Sequence, residues 1–280
     1  MIDPIVVEEL IDRALAEDIG FCDLTSELVI PAGARAELAL NAREDIVVAG
    51  LGVAAQVFRR RVPECRVELR VEDGERVKAG AAMGRVEGPA RGLLAVERTA
   101  LNFLQHLSGI ATLTARYAER IAGTRAVLID TRKTIPGLRA LEKHAAQLGG
   151  ARNHRLRLDD GVLIKDNHVS ICGSIAAAVG RARAGTPVLT RIEVECDTLE
   201  QVREAIAAGA DMVLLDNMSL EEVRRAVALA GGRIPLEASG GVRLETIRAI
   251  AETGVDFISV GRITQSAPAV DIGLDAVVRV

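Results

Sequence analysis

The feature that most restricts this chain is a recurrence in its second half. Short apolar runs at residues 192–194 (IEV), 212–215 (MVLL), 235–238 (PLEA) and 257–260 (FISV) close at Glu195, Asp216, Ser239 and Val260, which are 21, 23 and 21 residues apart. Similar runs lie earlier, at 126–129 (AVLI) and 162–164 (VLI), and alanine-rich helical segments such as LEQVREAIAAGA and SLEEVRRAVALAGG stand between them. Strand-sized runs alternating with helices predict βα units and a parallel sheet. A regular period of this size favours a barrel of short units over a doubly wound open sheet. No GxGxxG follows the first strand, which weakens a dinucleotide-binding version of the open sheet.

The first half has a different grammar. VVEELIDRALAED reads as a helix ended by Gly20, and ARAELALNAREDIVVAGL then alternates as strands do. CRVELRVEDGERVKAGAAMGRVEGP continues in short β runs broken at Asp73-Gly74, Gly80, Gly84 and Gly88-Pro89. Its faint likeness to a lipoyl or biotinyl carrier hairpin fails at Lys78, which precedes the Ala79-Gly80 turn instead of standing at a tip. Residues 92–123 are helical in pattern, with a break expected at Ser108-Gly109.

Composition removes several classes of function. Nearly half of the 280 residues are apolar, enough for a sizeable core, yet no apolar run approaches the roughly 20 residues that span a bilayer. The start, MIDPIVVEEL, is acidic where a signal peptide is basic, and the four cysteines show no CxxC pairing. A cytoplasmic protein without a zinc site or disulfide framework is expected. The net charge of −4, the single Tyr and the absence of Trp argue against nucleic acid. Locally the balance reverses: from Arg132 to Lys165 there are eight Lys or Arg against three acidic residues.

Side-chain alternation gives that island a place. Leu128, Asp130 and Arg132 share one strand face, as do Leu163, Lys165 and Asn167; Arg191, Glu193 and Glu195; Met212, Leu214 and Asp216; and Glu237 and Ser239. Five times a polar or charged residue ends such a face, and in βα barrels these ends converge on one mouth. Arg132, Lys133 and Lys165 would there attract phosphates and carboxylates. Glu195 and Asp216 could hold ribose hydroxyls, or a Mg²⁺ arriving with a diphosphate, although Asp216 alone could equally be a helix cap. The loops ASGG and SVGR suit a phosphate site. Residues alone thus lead to a barrel for a phosphorylated sugar and a second anion.

With these motifs in place, DTRKTIPGLRALEKHAAQLGGARNHRLRLDDGVLIKDNHV resembles the quinolinate phosphoribosyltransferase family, as do ERTALNFLQHLSGIAT, IEVECDTLEQ, LLDNM, LEASGGVRLETIRAIAETGVDFISVG and, earlier, AREDIVVAGL. The resemblance implies an N-terminal α/β sandwich over residues 1–108, joined by 268–280, and an open, incomplete α/β barrel over 109–267. It implies a homodimer with shared sites, into which the partner subunit's Arg98 reaches, and leaves higher assembly open. Arg132, His154, Arg155 and Lys165 would hold the two quinolinate carboxylates. Lys133 and Lys165 would meet the diphosphate of phosphoribosyl pyrophosphate. Glu195 and Asp216 would bind ribose hydroxyls and Mg²⁺, directly or not, and Ser239, Gly240, Gly241 and Gly261 the 5′-phosphate. Thr131, Val260 and Arg262 complete the implied substrate contacts; Lys133, Lys165, Glu195 and Asp216 form the implied catalytic set. No protein-bound organic cofactor is implied.

Two departures stand out. RITQS places Gln265 where the family usually has histidine, giving an amide that donates a hydrogen bond but brings no charge, and Cys22-Asp23 replaces the usual Gly-Asp. The related group encoded beside molybdate transport tends to lose the KDNH and NHR elements, both of which stand here. A non-catalytic nucleotide-binding protein on the same fold would be expected to lose part of the catalytic set, and all four residues are present.

Overall fold

The structure, a computed structural model, describes residues 3–277; the outermost parts of the expected domain ranges, residues 1–2 and 278–280, lie outside the described residues. Its strands are β1 (Arg35–Ala42), β2 (Ile46–Val47), β3 (Arg66–Leu69), β4 (Arg76–Val77), β5 (Ala82–Pro89), β6 (Val127–Ile129), β7 (Val162–Ile164), β8 (Ile192–Cys196), β9 (Met212–Asp216), β10 (Leu236–Ser239), β11 (Phe257–Ser259) and β12 (Ile272–Ala276). The chain divides into two compact units. One is made of Met1–Ala115, Ile135–Gly149 and Ser266–Val280, so far as these are described, and the other of Arg116–Thr134 and Gly150–Gln265.

The first unit is an α/β sandwich on an antiparallel sheet in the order β12-β1-β5-β3. Helix Leu51–Arg61 turns Leu51, Ala54, Ala55 and Phe58 toward Leu40, Val86 and Leu274 of that sheet. The opening helix runs Pro4–Ile19, capped by the Asp3 carboxylate on the Ile5 N–H and ended at Gly20, as the sequence predicts. Lys78 follows β4 directly and pairs with Asp45 Oδ2 at 2.7 Å, as part of the β scaffold.

The expected helix break at Ser108-Gly109 does not occur. One helix runs from Ala90 to Arg120 through both residues. Packing accounts for them instead: Ser108 Oγ accepts from the Ala49 N–H at 3.0 Å and donates to the Ala49 carbonyl at 3.1 Å. At Gly109 a methyl group would lie 2.1 Å from the Pro268 carbonyl oxygen, so only glycine lets that segment pass. Helix Arg139–Leu148 also belongs to this unit, where buried Glu142 accepts from the Ile135 N–H and meets His106 Nε2 at 2.8 Å. His106 is thus a packing residue of its helix.

The second unit contains all six predicted parallel strands, in the order β6-β11-β10-β9-β8-β7. Its two consecutive strands, β6 and β7, lie at opposite edges, and among the described residues no ladder joins them; the barrel is open. Among the described residues only Arg152 adds to the free edge of β6, bridging to Ile129. Helices follow the strands closely because their caps are built in. Thr198 with Gln201, and Ser219 with Glu222, form reciprocal capping boxes at helices Leu199–Ala207 and Leu220–Ala230. Ser219, and not Asp216, therefore caps the helix after β9. No helix among the described residues is long and apolar enough to cross a membrane.

Candidate functional site

At the C-terminal ends of the barrel strands the second unit holds a cavity of about 690 Å³. Its wall is assembled by strand alternation: Asp130 (just past β6), Leu163 and Lys165 (at the end of β7), Glu195, Leu214, Asp216, Glu237, Ser239 and Ser259 all face it. Loops add Thr131, Arg132, Lys133, His154, Arg155, Gly240, Gly241, Val260 and Gly261, and Arg262 comes from the start of the short helix Arg262–Gln265. Every site residue expected within the barrel is therefore brought to one place. Arg98 is the exception: it is exposed on helix Ala90–Arg120, in the other unit, and is not among the lining residues.

The wall carries six Lys or Arg (Arg132, Lys133, Arg155, Lys165, Arg243, Arg262) against four acidic groups, so the field inside suits polyanions. Arg132 Nε is buried with no hydrogen-bond partner among the described residues, a donor left for a ligand. Arg155 Nη1 donates to the Gly161 carbonyl at 2.9 Å; burial, and then the neighbouring Arg132 charge, hold its pKa below the usual arginine value. A guanidinium keeps its charge through such a shift. Lys165 Nζ pairs with Glu195 Oε2, and its backbone N–H donates to His168 Nδ1 at 2.9 Å, which makes His168 a helix-start cap.

Lys133 is fixed at its base. Its N–H donates to Thr131 Oγ1 at 3.0 Å and its carbonyl accepts from Thr264 Oγ1 at 2.7 Å. Its stem then crosses Gly261, where an added Cβ would sit 2.7 Å from Lys133 Cδ. On the opposite wall Asp216 Oδ2 accepts from Asn217 Nδ2 at 2.8 Å, and Asn217 holds a left-handed φ of 52°, an uncommon backbone that local packing must maintain. Ser259 Oγ donates to Ser239 Oγ at 2.9 Å, joining the ends of β10 and β11 beside the glycine loops.

Asp130 organises the basic loop. It is fully buried; its Oδ1 accepts from the His154 N–H at 2.8 Å and its Oδ2 from Asn153 Nδ2 at 2.5 Å. Both ring nitrogens of His154 are engaged as well, Nδ1 by the Arg155 N–H at 2.8 Å and Nε2 by Glu193 Oε2 at 2.8 Å. Asn217 and Arg243 line the cavity without having been expected there, and the buried Glu193 and Glu237, placed by the sequence on the inward strand faces, had been given no role. A glutamate inside an apolar strand run was the available signal for the last two.

The likeness to known proteins agrees with this geometry. Residues 23–108 match the family described as quinolinate phosphoribosyl transferase, N-terminal domain, and residues 110–275 match its C-terminal domain. The nicotinate-nucleotide pyrophosphorylase [carboxylating] of Mycobacterium leprae is 45% identical over 273 residues, 95% of this chain and 96% of that protein. A probable enzyme of the same description from Synechocystis is 42% identical, with 98% and 93% covered. The solved nicotinate-nucleotide pyrophosphorylase of Francisella tularensis superposes with a TM-score of 0.95 at 39% identity, over 99% of this chain and 98% of that one. The chain belongs to the quinolinate phosphoribosyl transferase family.

Proposed function

We propose that the chain transfers the phosphoribosyl group of phosphoribosyl pyrophosphate to quinolinate with decarboxylation, giving nicotinate mononucleotide, diphosphate and carbon dioxide in NAD synthesis. The observation that carries the reading is the union, in one cavity, of six cations, two strand-end carboxylates and two glycine loops.

Arg132 and Arg155 offer guanidinium donors to the two carboxylates of quinolinate, with Lys165 between them and the diphosphate. Lys133 and Lys165 take the diphosphate, Glu195 and Asp216 the ribose hydroxyls, and Ser239, Gly240, Gly241 and Gly261 the 5′-phosphate; Thr131, Val260 and Arg262 border these contacts. The pyridine nitrogen attacks C1 of the ribose as the C1–O bond to diphosphate breaks, and the lysines stabilise the charge that departs. The quaternary ring then loses its 2-carboxylate as carbon dioxide. The electron pair left at C2 is stabilised by the ring charge until a proton arrives. No step needs a covalent enzyme nucleophile.

Glu195 and Asp216 supply hard oxygen donors, and Mg²⁺ characteristically takes one or two carboxylates together with substrate phosphates. The donor set therefore fits Mg²⁺ entering with phosphoribosyl pyrophosphate, where it would neutralise the diphosphate. A homodimer is part of the reading, since Arg98 is exposed and does not line this cavity, and the partner subunit's Arg98 would add a further cation. The four cysteines are free, in keeping with a cytoplasmic setting.

The test is to incubate purified protein with quinolinate, phosphoribosyl pyrophosphate and Mg²⁺, and to measure carbon dioxide and nicotinate mononucleotide together. Equal release of both, with nicotinate inactive as acceptor, is expected. Absence of either product, or turnover of nicotinate, would overturn the proposal.

A further inference from the structure

One layer below the strand ends, the barrel interior is not apolar. Glu193 on β8 and Glu237 on β10 are 5% and 1% exposed, at positions that barrels ordinarily fill with branched apolar side chains. Burying two carboxyl groups side by side is unfavourable, so this layer needs a reason.

His154 supplies it. Its Nε2 lies 2.8 Å from Glu193 Oε2 and 3.6 Å from Glu237 Oε2. Because Nδ1 accepts the Arg155 N–H, the ring proton sits on Nε2, facing the two carboxyls. Asp130 holds the same loop from the other side, through the His154 N–H and the Asn153 amide. Both ring nitrogens of His154 already have partners, so the expected contact of this ring with a quinolinate carboxylate would compete with Glu193 or the Arg155 N–H.

The charge balance of the layer is equally constrained. Among the described residues Glu193 Oε1 and Glu237 Oε2 are buried with no hydrogen-bond partner. Burial first, and then the adjacent Glu193 charge, push Glu237 well above the usual carboxylate range; Glu195 acts in the same direction and the Ser259 side chain opposes it. Across the sheet Glu237 is level with Leu214 and Phe257, which bring no counter-charge.

We propose that Glu237, together with Glu193, is a positioning residue for the transferase reaction: Glu193 accepts from His154 Nε2–H, Glu237 packs beside that contact, and together they fix residues 153–155, with the Arg155 guanidinium, against the dicarboxylate substrate. This rests on the function proposed above. An amide of the same shape can replace Glu237; an aliphatic side chain cannot. The same three side chains have donor atoms within 4.8 Å of one another, so a bound cation is the competing account.

The test compares Glu237→Gln and Glu237→Leu in the full-length protein, with Glu193→Gln as a further variant that preserves volume. Expected is a Michaelis constant for quinolinate about tenfold or more higher in Glu237→Leu and Glu193→Gln, and within about threefold of wild type in Glu237→Gln, that for phosphoribosyl pyrophosphate holding throughout. The imidazole ¹⁵N signals of His154 in the unliganded protein should report the Nε2–H tautomer in wild type and Glu237→Gln, and a tautomer mixture in Glu237→Leu and Glu193→Gln. Should Glu237→Leu fail to fold, Glu193→Gln carries the same comparison. Equal impairment of Glu237→Gln and Glu237→Leu, an unperturbed tautomer in Glu193→Gln, or stoichiometric metal in the purified protein that is lost in Glu237→Gln would overturn the proposal. Inactivity of the wild type would instead sink the functional reading, and the tautomer result stands apart from it.

Discussion

Gly261→Ala separates placement from stability at a single atom. The added Cβ would lie 2.7 Å from Lys133 Cδ and 3.6 Å from Thr131 Oγ1. Carbon atoms pack best at about 3.5–4.0 Å, so the lysine stem must retreat by roughly 1 Å. Backbone strain plays no part, because Gly261 is not among the glycines with positive φ. Nor can the base of Lys133 yield, with its N–H bound to Thr131 and its carbonyl to Thr264. The stem therefore changes course and carries Nζ away from its place on the wall. Misplacement of about 1 Å in a positioned group costs up to about 10²-fold, or close to 2.7 kcal/mol of transition-state stabilisation. Steady-state kinetics should show kcat/KM for phosphoribosyl pyrophosphate reduced about 10–100-fold. The thermal midpoint should hold or rise slightly, since glycine-to-alanine at a permissive backbone restricts the unfolded chain. Unchanged kinetics would refute the reasoning; so would a loss of activity matched by a loss of stability.

Two further outcomes concern stability. Gly109→Ala forces a methyl group to within 2.1 Å of the Pro268 carbonyl and should destabilise the protein by about 2–3 kcal/mol in denaturant titrations; a neutral result would mean that the 268 segment moves aside freely. Glu237 gives a pH dependence with a defined sign. Its folded pKa is raised, so the stability it contributes is full below its ordinary value of 4.5 and is lost as pH rises through the folded value. Glu237→Gln has no proton to lose, so its melting temperature relative to wild type should climb as pH rises above 4.5, over the range between the ordinary and the folded value. A constant difference across that range would count against a neutral Glu237.

Much of the barrel was readable because its signals are local. Alternation along a strand is covalent geometry, so the inward faces of Lys165, Glu195, Asp216 and Ser239 follow from the letters alone, and the six apolar runs became the six parallel strands. Glu193 and Glu237 were equally visible as inward residues. What the letters do not carry is that a loop between β6 and β7 drops His154 onto both. Ser108-Gly109 misled for a related reason: the pair looks like a helix stop, but its meaning depends on Ala49 and Pro268, distant in the chain. Asp216 was ambiguous until Ser219 took the capping role. Arg98 carries no local sign of its part, since its expected use involves a second copy.

The order of strands has a consequence for how the protein is made. In the second unit β6 has its strand neighbour in β11, and in the first β1 takes β12 along one edge, where Asn41 meets Asp275 across 234 residues. A nascent chain therefore presents β6 and β1 with open edges while most of the message is still being read. Such distant pairings close slowly, and unpaired edges invite association with other chains. A ribosome that stalls before β11 releases a product with an exposed strand in each unit, which is the form that chaperones and proteases would meet.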